Sequence, residues 1–175
     1  MAWKFEGSKT RMGDIVEYNA RELADHTALA YYEYGFENTF SQFRDICRQV
    51  AKGLMALGVK RGDHIAIWAN NLPQWVYTQF GAPMTGAVLV TVNTNFRAYE
   101  LEYLLDQSDT TTLILTHGVR EADEYLRILR QVCPEVDACS PGDLQTEKLP
   151  YLKNIVHLGE EDITGMYRWE DMLKL

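Results

Sequence analysis

The stretch GVKRGDHIAIWANNLPQWVYTQFGAPMTGAVLVTVNTNF, residues 58–96, decides the fold. It reads as turn, apolar strand (HIAIWA, 64–69), turn, helix, glycine stop, second apolar strand (AVLVTV, 87–92) and polar loop. Short apolar runs of this kind suit strands covered on both faces. Pro73 sits at the first turn of the intervening helix, where its missing N–H is harmless. Leu72, Trp75, Val76, Phe80 and Pro83 mark the expected apolar stripe of that helix. Pro83 removes a hydrogen bond to the Gln79 carbonyl, so the last turn should bend or fray. Two strands joined through a helix form a parallel crossover unit.

The pattern continues outward in both directions. Before the unit, ALAYYEY (28–34), Gly35 and 36–40 read as a hairpin, with Gly35 supplying a positive φ. Ser41 is the expected N-cap of a helix whose buried face is Phe43, Ile46, Cys47, Val50, Leu54 and Leu57, stopped by Gly58. Residues 1–27 read as an arm, with little pattern over 1–13 and a short helix over 14–25. After the unit come a helix over 98–108 (Leu101, Leu104 and Leu105 inward), a strand over 111–116, and a helix over 121–132 (Ala122, Tyr125, Leu126 and Leu129 inward). Pro134 ends that helix. An irregular stretch over 139–150, a strand over 154–158 and a short helix over 166–173 complete the chain. The alternation predicts an α/β fold: an open, mostly parallel sheet of about four strands, helices on both faces, preceded by a β-hairpin.

Bulk properties narrow the function classes. At 175 residues one domain is expected. A chain with 25 acidic and 17 basic residues, net −8, is a poor candidate for nucleic acid or an anionic membrane. Stacking of bases on Tyr31, Tyr32 and Tyr34 is disfavoured by the same charge. The most apolar run, 80–92, is too short for a transmembrane segment, and the first residues have no apolar signal region. Three cysteines without C-x-x-C spacing suit a reducing cytoplasm, with Cys47 as a buried free thiol.

A search for chemistry finds little. Gly53 and Gly58 match the glycine spacing of a phosphate loop, but Val59 stands where lysine is needed, and no G-x-G-x-x-G follows a strand. His26, His64, His117 and His157 are scattered and form no metal motif, and no G-x-S-x-G elbow exists. In open parallel sheets ligands bind beyond the carboxyl ends of the strands. That rule marks Asn70, Asn71, Asn93, Asn95 and Thr116, although asparagine also serves simply to form turns. A receiver-like domain would want acidic residues at the end of the first strand, where this chain has Ala69, Asn70 and Asn71.

Residues 39–75 (TFSQFRDICRQVAKGLMALGVKRGDHIAIWANNLPQW) strongly resemble the opening of AMP-forming acyl-CoA synthetases. The matching positions are Thr39, Phe40 and Phe43, then Leu54, Gly58, Val59, Gly62 and Asp63, then Asn71, Pro73 and Trp75. The likeness runs on through GAVLVTVN (86–93), and FRAYELEYLLDQSD (96–109) looks most like fatty-acyl-CoA ligases. In that family a carboxylate and ATP form acyl-AMP and pyrophosphate, and CoA then displaces AMP. The family's Ser/Thr/Gly-rich phosphate loop, its ribose-binding acid, its hinge and its C-terminal lysine have no counterpart here. The resemblance therefore implies that residues 28–175 are part of the N-terminal subdomain of such an enzyme's large domain. No catalytic, cofactor-binding or metal-binding residue is carried over. ATP, Mg²⁺, CoA and a fatty acid are implied for the parent enzyme only. The expected partner of the chain is the rest of that enzyme, with self-association through an exposed apolar face that includes Tyr31, Tyr32 and Tyr34. The alternative is a self-contained α/β binding or interaction domain.

Overall fold

The computed structural model describes residues 11–175. The first ten residues of the expected arm lie outside the described residues. Helix α1 (Met12–Glu22) starts within the supposedly unpatterned part of the arm and buries Val16 and Ala20. Strands β1 (Thr27–Tyr31) and β2 (Phe36–Thr39) pair antiparallel as the expected hairpin. A 3-10 turn over Tyr32–Tyr34 joins them, and Gly35 takes the left-handed conformation at φ 59°.

Helix α2 (Phe40–Ala56) begins two residues earlier than Ser41 predicts. Its N-cap is Thr39, whose side chain accepts from the Gln42 amide while the Gln42 side chain accepts from the Thr39 amide. Such a reciprocal box satisfies two otherwise orphaned donors, which a Ser41 cap would not have done here.

Five parallel strands form the main sheet in the order β4–β3–β5–β6–β7. They are β3 (His64–Trp68), β4 (Val88–Thr91), β5 (Thr110–Leu115), β6 (Asn154–His157) and β7 (Tyr167–Arg168). The fifth strand exceeds the expected four. It comes from the stretch expected to be wholly helical, where only α6 (Trp169–Met172) is a helix. Its register is short, Val156 opposite Tyr167 and His157 opposite Arg168.

Alternation along β3 divides the core. Ala66 and Trp68 face a layer made with α4 (Ala98–Gln107), α5 (Glu124–Val132) and Leu144, Leu149 and Leu152 of the irregular stretch. Ile65 and Ile67 face the layer containing α1, α2, α3 (Pro73–Gly81) and α6. Helices therefore cover both faces, as the alternation predicts.

Three expected burials differ. Strand β4 is an edge strand with Val88 48% exposed, because β3 pairs with it on one side and no described strand on the other. In α3 the residues driven deepest are Tyr77, Thr78 and Gly81, not the large side chains of the expected stripe. A Cβ on Gly81 would lie 2.8 Å from the Cys47 carbonyl oxygen, so α3 packs on α2 through bare backbone. In the 121–132 stretch the α-helix begins only at Glu124, leaving Ala122 exposed. At Pro83 the backbone passes into a 3-10 turn (Ala82–Thr85), the expected consequence of the lost hydrogen bond. Cys47 is fully buried and unbridged.

Candidate functional site

The chain runs from β3 out to β4, then returns across β3 to β5 and continues to β6 and β7. This reversal places a topological switch point between β3 and β5, and the rule for open sheets directs attention to the loops at their carboxyl ends. Those loops are 69–72 after β3, 92–97 after β4, 116–123 after β5 and 158–166 after β6.

The loop after β4 is tied down from several directions. Asn93 accepts the Asn95 amide through its side-chain oxygen at 2.9 Å, an Asx turn, and its carbonyl accepts the Phe96 amide at 3.0 Å. The same carbonyl accepts the Trp68 indole N–H at 3.2 Å. The Tyr125 hydroxyl donates to the Thr94 carbonyl at 3.0 Å. Arg120 donates to the Asn95 side chain, and Arg97 donates to Glu124 at 2.8 Å. Glu124 is almost wholly buried, and its second oxygen, Oε2, has no protein partner.

The loops after β5 and β6 meet through two histidines. His117 Nε2 lies 3.3 Å from His157 Nδ1, and His117 Nδ1 lies 3.1 Å from Glu161 Oε1. The residues are forty positions apart in sequence, joined by the parallel pairing of β5 and β6, so residue spacing alone had no means of linking them. His157 closes β6 and is fully buried. Burial, and then the charge of His117, push its pKa down.

Of the positions marked by the strand-end rule, Asn93 and Asn95 are joined with Arg120, Thr94 and Tyr125. Asn70 follows β3 with its side-chain oxygen buried and unpartnered, while Asn71 is exposed. Thr116 donates its amide to the Trp68 carbonyl. Arg97, Arg120, Glu124 and the His117–His157 pair complete the rim and were not singled out by the sequence patterns. A separate cleft of about 520 Å³ sits at the amino ends of the strands, between Arg11, Asp14, Glu17, Arg61 and Met84. It mixes charges of both signs and lies at the end of the sheet away from the switch point.

Both arginines of the rim have side-chain partners. A phosphate needs free donors and cations. Arg97 is engaged by a carboxylate and Arg120 by an amide, and the unpartnered buried oxygens of Asn70 and Glu124 are acceptors. Among the described residues no group of three or more His, Cys, Asp or Glu is placed to hold a metal ion. Also among the described residues, no helix is long and apolar enough to cross a membrane.

Comparison with known proteins gives a consistent family. The model described as "AMP-binding enzyme" matches residues 16–164. The chain is 42% identical over 160 residues to a Bacillus subtilis (strain 168) protein named "Putative acyl-CoA synthetase YngI", covering 91% of this chain and 29% of that protein. It is 31% identical over 153 residues to the human mitochondrial medium-chain acyl-CoA ligase ACSF2, covering 87% of this chain and 25% of that one. Among solved structures, the anthranilate CoA ligase AuaEII in complex with anthranoyl-AMP superposes with a TM-score of 0.77 at 27% identity, over 94% of this chain and 28% of that one. The chain thus spans between a quarter and three tenths of the length of these relatives.

Proposed function

The chain belongs to the AMP-binding enzyme family, and from that premise we propose that it is a scaffold portion of a longer ATP-dependent, AMP-forming fatty-acyl-CoA ligase. In the whole protein a fatty carboxylate attacks the α-phosphorus of ATP, giving acyl-AMP and pyrophosphate. The CoA thiol then attacks the acyl carbon, giving the thioester and AMP. ATP, Mg²⁺ and CoA belong to that longer protein, and so do its fatty-acid substrate and its cytoplasmic placement.

The observation that carries this reading is the pairing of 42% identity across 91% of the chain with coverage of only 29% of the relative. The 175-residue chain is itself inactive on this reading. Its strand-end loops are closed on one another, with both rim arginines engaged. Its contribution is a rigid sheet against which nucleotide- and acyl-binding parts pack.

The test is direct. The purified chain, given ATP, Mg²⁺, CoA and fatty acids of graded length, should release no pyrophosphate and form no thioester. A longer polypeptide that continues into a Ser/Thr/Gly-rich loop ending in Pro-Lys should do both. Turnover by the 175-residue chain would overturn the inactivity, and a longer polypeptide that makes neither product would overturn the ligase assignment.

A further inference from the structure

We propose that His117 and His157 form a one-proton latch that holds the 158–166 loop against the 116–123 loop only while the two imidazoles share a single excess proton. The Gly159 amide donates to His157 Nδ1 at 3.2 Å, so that nitrogen carries a lone pair and the ring proton sits on Nε2. His117 Nε2, 3.3 Å from the same nitrogen, must then be the donor of that contact. The other ring nitrogen of His117 faces Glu161 Oε1 at 3.1 Å and Asp123 Oδ1 at 3.7 Å. A carboxylate accepts but does not donate, so this side also calls for an N–H on His117. Every contact has a donor and an acceptor when His117 is the imidazolium and His157 is neutral, with the one lone pair of His157 Nδ1 shared between the Gly159 and His117 N–H groups, both at long distances of 3.2 and 3.3 Å.

Either change of protonation breaks the match. Losing the extra proton leaves a His117 lone pair against either the Glu161 carboxylate or the lone pair of His157 Nδ1, depending on the tautomer, and one of the two contacts is lost. Gaining a second puts a proton on His157 Nδ1, where it opposes both the Gly159 N–H and the His117 N–H. It also creates a second cation on a fully buried ring, whose Nε2 has no acceptor to offset the charge.

Charged groups from the neighbouring loops and β7 surround the pair. Asp123, ahead of α5, and Glu161, in the loop after β6, face His117. Glu161, Asp162 in that loop and Arg168 on β7 also act on His157, but Arg168 is bound by Asp162 at 3.2 Å and by Asp171 at 2.6 Å, which offsets its charge. Burial, and then the charge of His117, push the His157 pKa down, in keeping with a neutral His157. Gly159 completes the fit, because a Cβ there would overlap His117 Nε2.

The test is nitrogen-15 NMR of the whole chain from about pH 4 to about pH 9, which brackets imidazole titration. It follows the ring nitrogens of both histidines and the exchange protection factor of the Gly159 amide. Protection should peak at intermediate pH and fall about tenfold or more on either side, the change expected for about one pH unit of linkage. Glu161→Gln should move the alkaline limb to lower pH. His117→Gln should remove the peak. If His117→Gln fails to fold by far-ultraviolet circular dichroism, the Glu161→Gln limb decides. A wild-type profile that is monotonic, or an alkaline limb unmoved in Glu161→Gln, overturns the latch.

Discussion

Trp68 and Tyr125 lie face to face, ring centroids 3.8 Å apart and 7° from parallel. One ends β3 and the other opens α5, and each sends its polar tip into the loop after β4: the indole to the Asn93 carbonyl and the phenol to the Thr94 carbonyl. The pair thus joins the sheet, a covering helix and a strand-end loop in one contact. Tyr125→Phe keeps the ring and loses the hydroxyl bond, which should cost about 1 kcal/mol. Tyr125→Ala should cost about 3–5 kcal/mol through the cavity it leaves. Urea denaturation of both variants checks the ordering, and equal losses would show that the hydroxyl rather than the stack dominates.

Arg97 and Glu124 form a lopsided pair: the carboxylate side chain is 5% exposed and the guanidinium side chain 60% exposed. Solvent screens the cation, so the pair itself contributes little. Removing the arginine is different, because it strands a buried charge. Arg97→Ala should destabilise by about 1–3 kcal/mol, and Glu124→Gln in the same chain should recover part of that loss. A double-mutant cycle measures the coupling, and zero coupling would remove Glu124 from the loop's support.

Much of the fold was legible because its signals are local. Apolar runs at 64–69 and 111–116, helical spacing from Phe43 to Leu54, Pro73 and the glycine stops each report on a few neighbours. What escaped depends on remote neighbours. AVLVTV has the composition of an interior strand, yet β4 lies at an edge, since burial is set by what is laid beside a strand. Tyr167 and Arg168 are too short a run to show alternation and become a strand only by pairing with Val156 and His157. The rim was less legible than the fold: the strand-end rule picked out its asparagines, but the side chains that tie their loop down, Arg120, Glu124 and Tyr125, come from outside it. The His117–His157 contact exists only once β5 and β6 are side by side.

Gly53 lies in mid-helix, where alanine would ordinarily be favoured by about 1 kcal/mol. Here a Cβ would overlap the carbonyl oxygen of Met172 at the end of α6. Backbone yields less readily than a side chain, and such overpacking costs about 1–3 kcal/mol. The clash should win, so Gly53→Ala is expected to lower the urea midpoint. A raised midpoint would mean that α6 moves away from α2 at little cost.

Burial pushes the thiols of Cys47 and Cys133 up to about 12. The neutral thiol is favoured in the folded state, so this contribution to stability is complete below the ordinary value of 9.0 and is lost as the pH rises from there toward about 12. A thiol-specific reagent near neutral pH should label Cys139 first, since it alone of the three is partly exposed. Labelling of Cys47 and Cys133 should follow the rate of unfolding and accelerate in urea. Prompt labelling of all three would contradict the packing of α2 and α5.

The apolar surface distinguishes a piece of a larger enzyme from a self-contained domain. The hairpin presents Tyr32 at 90% and Tyr34 at 62% exposure, with Tyr31 partly buried. The edge of β4 presents Val88 at 48% exposure, with no described strand paired on its outer side. Exposed tyrosine is tolerated singly, whereas an unguarded apolar edge strand is a template for pairing. The chain should therefore self-associate in sedimentation velocity as concentration rises. Val88→Lys should suppress that association with little change in melting temperature, because the lysine ammonium is repelled from a dry edge and the position is already half in water. The double change Tyr32→Ser and Tyr34→Ser should have the smaller effect. The reverse order would move the contact to the hairpin, and a wild-type chain that stays monomeric at high concentration would favour the self-contained domain.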